Sequence, residues 1–420
     1  MQNWAGNVVY STDDLRHPET VEELQHVVRS ARRVRALGTG HSFSTVADTT
    51  GTLVSTRDLR LPVDIDAARG LAVVPGGSTY AGVSSVLHAR GWALHNLGSL
   101  PHISVAGACV TGTHGSGSAN RCLATSVVGI ELVRADGELL EVHEGHPDFP
   151  GMVLSLGALG VVTRLWLKLE PAFDVSQQVL LDVPLADAAD RAEELLASAY
   201  SVSIFSSFAR PRTIDAVWRK HRLDPDGARH GTPDGGSSWG GHLAREQVHP
   251  IVGFDAAAAT EQLGRPGPWH ERLPHFRPAF TPNTGEELQS EFFLPREHAG
   301  EVLATLSDLA SSFVGALQVF EMRTVAADDL WLSPFHERDT VAVHATWVRD
   351  PEVVRPALAA LEDAVAPCDP RPHWGKVSLG FDAARLAGCY PALPRFRDLA
   401  GRLDPERCFT NGYLERLGLR

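Results

Sequence analysis

Short apolar runs whose period changes repeatedly mark the first part of the chain. After Thr20-Val21-Glu22-Glu23, which reads as a capping box, Val21, Leu24, Val27, Val28 and Ala31 recur at helical spacing and predict a first helix. Three β-like runs follow at 34–37, 52–55 and 71–74, the last ending at Pro75-Gly76-Gly77. A second helical pattern runs over about 80–89 and stops at Gly91. Residues 132–140 alternate about Asp136-Gly137, the signature of a tight hairpin. A small apolar run at 157–163 leads into Leu165-Trp166-Leu167-Lys168-Leu169, which alternates as far as Pro171.

The texture changes between Pro171 and Asp174. Strand-like and helical stretches fill 176–220, and the polar, Gly/Asp/His-rich stretch 221–242 is longer than an ordinary connection, so it is expected either to move or to rest over a site. Helices are predicted at 297–311 and 351–365, and strands at 287–294, 317–324 and 340–348.

With 420 residues the chain exceeds what one core usually supports, and two domains are expected. Its net charge of -13, with no Lys/Arg run, argues against nucleic acid or an anionic membrane surface as partner, since both need a concentrated basic face. Five scattered cysteines without CxxC spacing argue against a disulfide framework and against a zinc site, so no metal is expected. The start of the chain has no basic region followed by an apolar run, and the cytoplasm is the expected compartment.

Candidate chemistry begins at Gly38-Thr39-Gly40-His41-Ser42, which sets a histidine among residues that let backbone approach a ligand closely. In Gln318-Val319-Phe320-Glu321-Met322-Arg323-Thr324, alternation puts Glu321 and Arg323 on one face, and in 341–347 it puts His344 and Thr346 together. If these strands pair, four polar groups share a surface; a solvent-facing sheet would show the same pattern. His373-Trp374-Gly375-Lys376 is either a charged rim or a cation set against a π-system or a developing negative charge.

Taken in order, Asn3-Trp4-Ala5-Gly6-Asn7, the 38–43 loop, Gly98–Gly107, Thr111-Gly112-Thr113-His114-Gly115-Ser116-Gly117, Glu321–Ala326, His373–Lys376 and Phe409-Thr410-Asn411 resemble the FAD-linked oxidases of the vanillyl-alcohol oxidase superfamily, and within it the bacterial alditol oxidases. The resemblance spans nearly the whole chain. It implies an α+β, two-domain fold: an FAD-binding domain at 1–173, joined by about 378–420, and a cap carrying the substrate face at 174–377. It also implies FAD bonded covalently through His41, with Ala36, Leu37, Gly38, Thr39, Gly40, Ser42, Ser99, Ser104, Gly107, Thr111, Gly112, Thr113, His114, Val162 and His373 around the cofactor. Ser99, Glu321, Arg323, His344, Thr346 and Lys376 would surround a polyol, with Arg323, Lys376 and Glu321 catalytic and dioxygen as acceptor. Arg323 and Lys376 would stabilise the alkoxide and the negative charge developing on the cofactor; the proton would pass to a lysine of depressed pKa or to a neutral histidine. Dehydrogenases of the superfamily often carry a larger residue where this chain has Gly98, which either opens a path for dioxygen or only serves a turn.

A sugar-lactone oxidase of the gulonolactone type shares the loop and the 373–376 segment, although 98–107 and 321–327 favour polyols. A flavin-free sugar-binding protein, with His41 a plain loop residue, is the reading from another class. His26, His88, His95, His143 and His146 fit helices or loops, and His270 and His275 are expected in turn or packing roles.

Overall fold

The capping box at Thr20 holds. Its hydroxyl accepts from the Glu23 backbone N–H at 3.2 Å, and the helix Val21–Ser30 buries Leu24 and Val28. In the computed structural model, which describes residues 1–224, 239–280 and 286–420, the strands Leu15–Arg16, Thr52–Val54 and Val34–Ala36 lie side by side in parallel. Five further strands form an antiparallel sheet in the order Asp64–Asp66, Leu71–Pro75, Val161–Lys168, Val127–Val133 and Leu139–His143. The predicted hairpin lies at its edge, with Leu132 opposite Leu140.

Beyond Pro171 the chain enters another sheet. Nine strands combine, in the order His242–Leu243, Asp174–Pro184, Thr213–Arg222, Ser201–Ser206, Leu317–Val325, Thr340–Val348, Glu287–Pro295 and Arg371–Pro372, with Pro266–Pro268 also paired to Asp174–Pro184. Phe320, Met322 and Val343 are buried, and the helix Pro351–Val365 packs on the strands Thr340–Val348 and Glu287–Pro295. The helix predicted at 297–311 is shorter, Ala299–Asp308, because both its ends tighten into 3₁₀ turns. Of the polar stretch 221–242, residues 225–238 lie outside the described residues. Among the described residues, no helix is long and apolar enough to cross a membrane. The architecture is α+β.

The end of the chain returns to its beginning. Val34 donates to the Cys408 carbonyl, and the Asn411 side chain donates to the carbonyls of Thr45, Val46 and Asp48. Arg35 is the buried pin of this junction: its guanidinium donates to the carbonyls of Gly157 and Phe409, both at 2.9 Å, of Leu156 at 2.6 Å, and of Val46. Arg35→Met removes these donors and leaves buried acceptors unpaired. It is expected to lower the unfolding free energy by about 1–3 kcal/mol, read as a shift in the urea midpoint.

Candidate active site

The loop after the strand Val34–Ala36 is strapped from two sides. From the N-terminal segment, Trp4 N–H donates to the Gly40 carbonyl at 2.8 Å, and the side chains of Asn3 and Asn7 donate to the Ser42 and Phe43 carbonyls. From the far end of the sequence, the Gly375 carbonyl accepts from Phe43 N–H at 2.7 Å, which brings the 373–376 segment against the loop. Gly40 has φ +72, a conformation that glycine adopts without strain. Among the described residues, the backbone N–H groups from Gly38 to Ser42 make no hydrogen bond. Trp4 stacks on the His41 ring at 5.0 Å. His41 Nδ1 is buried without a hydrogen-bond partner, and burial pushes the imidazole down to about 4.

The loop forms one wall of a cavity. Of the residues expected around a cofactor, Ala36, Leu37, Gly38, Thr39, Gly40, His41, Ser42, Ser99, Ser104, Gly107, Thr111, Thr113, His114, Val162 and His373 line it. Gly112 does not. It has φ +74, and an added Cβ there would meet Leu154 and Pro334 at 3.2 and 3.3 Å, away from the cavity. On either side of Ser104 the wall is bare backbone, since a Cβ on Gly38 or Gly107 would stand 2.4 or 2.6 Å from the Ser104 hydroxyl. Unpaired amides, glycines at close approach and an unpartnered imidazole nitrogen fit a flavin dinucleotide, whose pyrophosphate needs N–H donors and not a lysine-bearing loop.

The opposite wall is the nine-stranded sheet. Antiparallel register places Phe205 opposite Glu321, Glu321 opposite His344, and His344 opposite Glu291, so these four share one face; Thr346 lies opposite both Val319 and Gln289. Glu321, Arg323, His344 and Thr346 are buried around the cavity, so this face is not a solvent-facing sheet. Lys376 is neither a surface rim nor set against an aromatic ring: its ammonium lies 2.6 Å from Glu291 Oε2, while Trp374 packs on Tyr390 and donates to the Leu332 carbonyl.

Glu291, which the sequence reading passed over, is the hub. Its carboxylate also meets Arg323 Nη2 at 3.0 Å and His114 Nε2 at 3.2 Å. Burial alone would raise its pKa, but Lys376 and Arg323 hold it well below the usual carboxylate range. Glu321 is likewise held low against burial, chiefly by Arg323. Arg323 Nε lies 3.3 Å from Glu321, and its Nη1 donates to the Ser99 hydroxyl at 3.2 Å, which ties the two walls together. Burial, opposed by Glu291, lowers the Lys376 pKa. Burial followed by the Lys376 charge pushes His344 down to about 3; among the described residues neither of its ring nitrogens makes a hydrogen bond. His373 Nδ1 accepts from Gly375 N–H at 3.0 Å, which leaves the ring proton on Nε2.

His275 is not confined to a turn or packing role. It lines the cavity, with Nε2 2.7 Å from Glu321 Oε1. His270 stays outside the cavity, its ring 4.6 Å from that of His88. The alternation Glu287, Gln289, Glu291 within a strand already expected could have pointed to Glu291; no periodic signal marks His275.

Residues 14–143 match the FAD binding domain family, and 285–417 match the D-arabinono-1,4-lactone oxidase family. The chain is 47% identical to an alditol oxidase from a Streptomyces species, over 99% of this chain and 98% of that one. It belongs to the alditol oxidases. The chain is also similar to an L-gulono-1,4-lactone dehydrogenase of Mycobacterium tuberculosis, 30% identical over 99% of this chain and 98% of the other. Among solved structures, a xylooligosaccharide oxidase from Myceliophthora thermophila in complex with xylobiose superposes with a TM-score of 0.74 at 15% identity, over 98% of this chain and 93% of that one. A cholesterol oxidase from B. sterolicum does so with 0.76 at 13%, over 99% and 96%; both likenesses speak to the fold. The chain is thus an FAD-linked oxidoreductase of the alditol oxidase family.

Proposed function

We propose that the enzyme oxidises a terminal primary hydroxyl of an alditol such as xylitol or sorbitol to the aldose, with dioxygen reduced to hydrogen peroxide. The observation that carries this reading is the pairing of Glu321, His344 and Glu291 across three strands, with Arg323 and Lys376, opposite a loop of unpaired amides. When bound, FAD supplies the acceptor for the hydride of the carbinol carbon and passes the electron pair on to dioxygen. The segment 36–42 with Ser104, Gly107, Thr111 and Thr113 would hold the cofactor, with Val162 toward its adenine or ribose half and His373 toward the ring. His41, whose buried Nδ1 has no hydrogen-bond partner, would be the residue that carries a covalent link to it.

Arg323 and Lys376 provide fixed positive charge where an alkoxide develops. His344, neutral and unpaired, takes the hydroxyl proton. Glu321 accepts from a polyol hydroxyl, and Ser99 and Thr346 fix others, so that a substrate lacking them is rejected. Positioning of this kind removes roughly 7–11 kcal/mol from a barrier. We assign the FAD-binding domain to 1–173 with 378–420 and the cap to 174–377, and place the enzyme in the cytoplasm on account of its five buried, unpaired cysteines.

The match of 285–417 to a lactone oxidase family favours a second reading, a sugar-1,4-lactone oxidase. Steady-state peroxide formation on xylitol, sorbitol and gulonolactone separates the two, and faster turnover of the lactone would overturn the alditol assignment. A Cβ at Gly98 would meet Thr113 and the His114 carbonyl at 3.5 and 3.6 Å, ordinary contact, so a side chain can begin there, and Gly98→Val tests whether its absence admits dioxygen. Slower reoxidation by dioxygen in stopped-flow measurement is expected; an unchanged rate leaves Gly98 only a turn.

A further inference from the structure

Behind Glu321 stands a second line of polar groups that the chemistry above does not use. Lys220, 1% exposed on the strand Thr213–Arg222, reaches beneath the segment 273–275. Its Nζ donates to the carbonyls of Leu273 at 2.5 Å and Pro274 at 3.0 Å, and faces His275 Nδ1 at 3.2 Å. In the charged form, three N–H groups meet three acceptors. Nδ1 then accepts, and the single proton of the neutral imidazole sits on Nε2, donating to Glu321 Oε1 at 2.7 Å. The rings of Phe205 and Trp218 stand edge-on to His275 at 5.5 and 5.4 Å and limit its rotation. The nearest ion-pair neighbour of Glu321 Oε2 is His344 Nδ1 at 3.7 Å, beyond hydrogen-bond reach.

We propose that Lys220 and His275 are positioning residues for the reaction: together they tie down one oxygen of Glu321 so that the other is presented to a substrate hydroxyl. With the opposite tautomer, an Nε2 lone pair would face the carboxylate at hydrogen-bond distance, and the carboxylate would turn away. The role in turnover rests on the reading of the cavity as an alditol site; the tautomer lock does not.

The test uses the flavin-loaded full chain at pH 6, below the value of about 7 to which burial lowers the Lys220 pKa, so that the ammonium is charged. Lys220→Met and His275→Leu are expected to raise the KM for xylitol about tenfold with a smaller change in kcat. His275→Gln, whose amide N–H can stand in for Nε2–H, is expected to stay within a few-fold of the parent. The flavin spectrum and thermal midpoint report that each variant is folded. An unchanged KM in Lys220→Met, or an equal loss in His275→Gln and His275→Leu, overturns the relay. Nitrogen-15 spectra of labelled histidines supply a readout free of turnover, with His275 identified by its absence in His275→Gln. The Nε2–H form is expected in the parent and a mixture in Lys220→Met; identical spectra overturn the lock. A parent that turns over no alditol overturns the functional reading, and the spectra still decide the lock.

Discussion

His41→Ala is expected to yield a protein whose flavin is released completely by acid precipitation, whereas the parent's yellow colour stays with the pellet. The grounds are local and physical. Trp4 and the hydrogen bonds of 2.7–2.9 Å to Asn3, Asn7 and Gly375 hold the loop around His41, and burial keeps the imidazole neutral, so the Nδ1 lone pair is free to form a bond. A covalent link withdraws electron density from the ring, so the variant's midpoint potential should fall below the parent's. A kcat lower by about tenfold, some 1.4 kcal/mol on the barrier, should accompany it. Flavin that leaves the parent on acid treatment would end the covalent assignment, and an unchanged potential would end the electronic part alone.

Lys376→Met should leave a folded, flavin-loaded protein with kcat reduced about 10²–10³-fold, the scale of removing one preorganised donor from developing negative charge. Folding is expected to survive because Glu291 keeps two partners, Arg323 at 3.0 Å and His114 at 3.2 Å, so that no carboxylate is left buried alone. Arg323 offers no such clean experiment: it faces Glu291, Glu321 and Ser99 at once, and its removal mixes lost catalysis with lost stability. Peroxide production under saturating xylitol gives kcat, and flavin absorbance counts loaded sites. A rise in KM with kcat intact would make Lys376 a binding group only.

Much of this site is legible in the sequence. The alternation that put Glu321 with Arg323, and His344 with Thr346, survives as register, because side chains on a strand alternate whatever lies opposite. The 38–42 loop was visible through its glycines and histidine, and the hairpin at Asp136-Gly137 through its turn residues. Gly112 was placed in the cofactor wall by its motif, but it does not line the cavity, and a Cβ there would face Leu154 and Pro334. Glu291 lay within an expected strand but went unread, since nothing local distinguishes a carboxylate facing water from one facing Lys376.

Local pattern therefore settled the elements and named most of the groups that carry charge, since capping, turn chemistry and period depend on neighbours only a few residues apart. Which wall those groups face, that Glu291 joins Arg323 to Lys376, and that Lys220 backs His275 were decided by contacts between distant segments: 291 with 376, 220 with 275, and 43 with 375. A buried charge is tolerable only beside its partner, and that partner's identity is a property of three-dimensional packing, which no window along the chain contains.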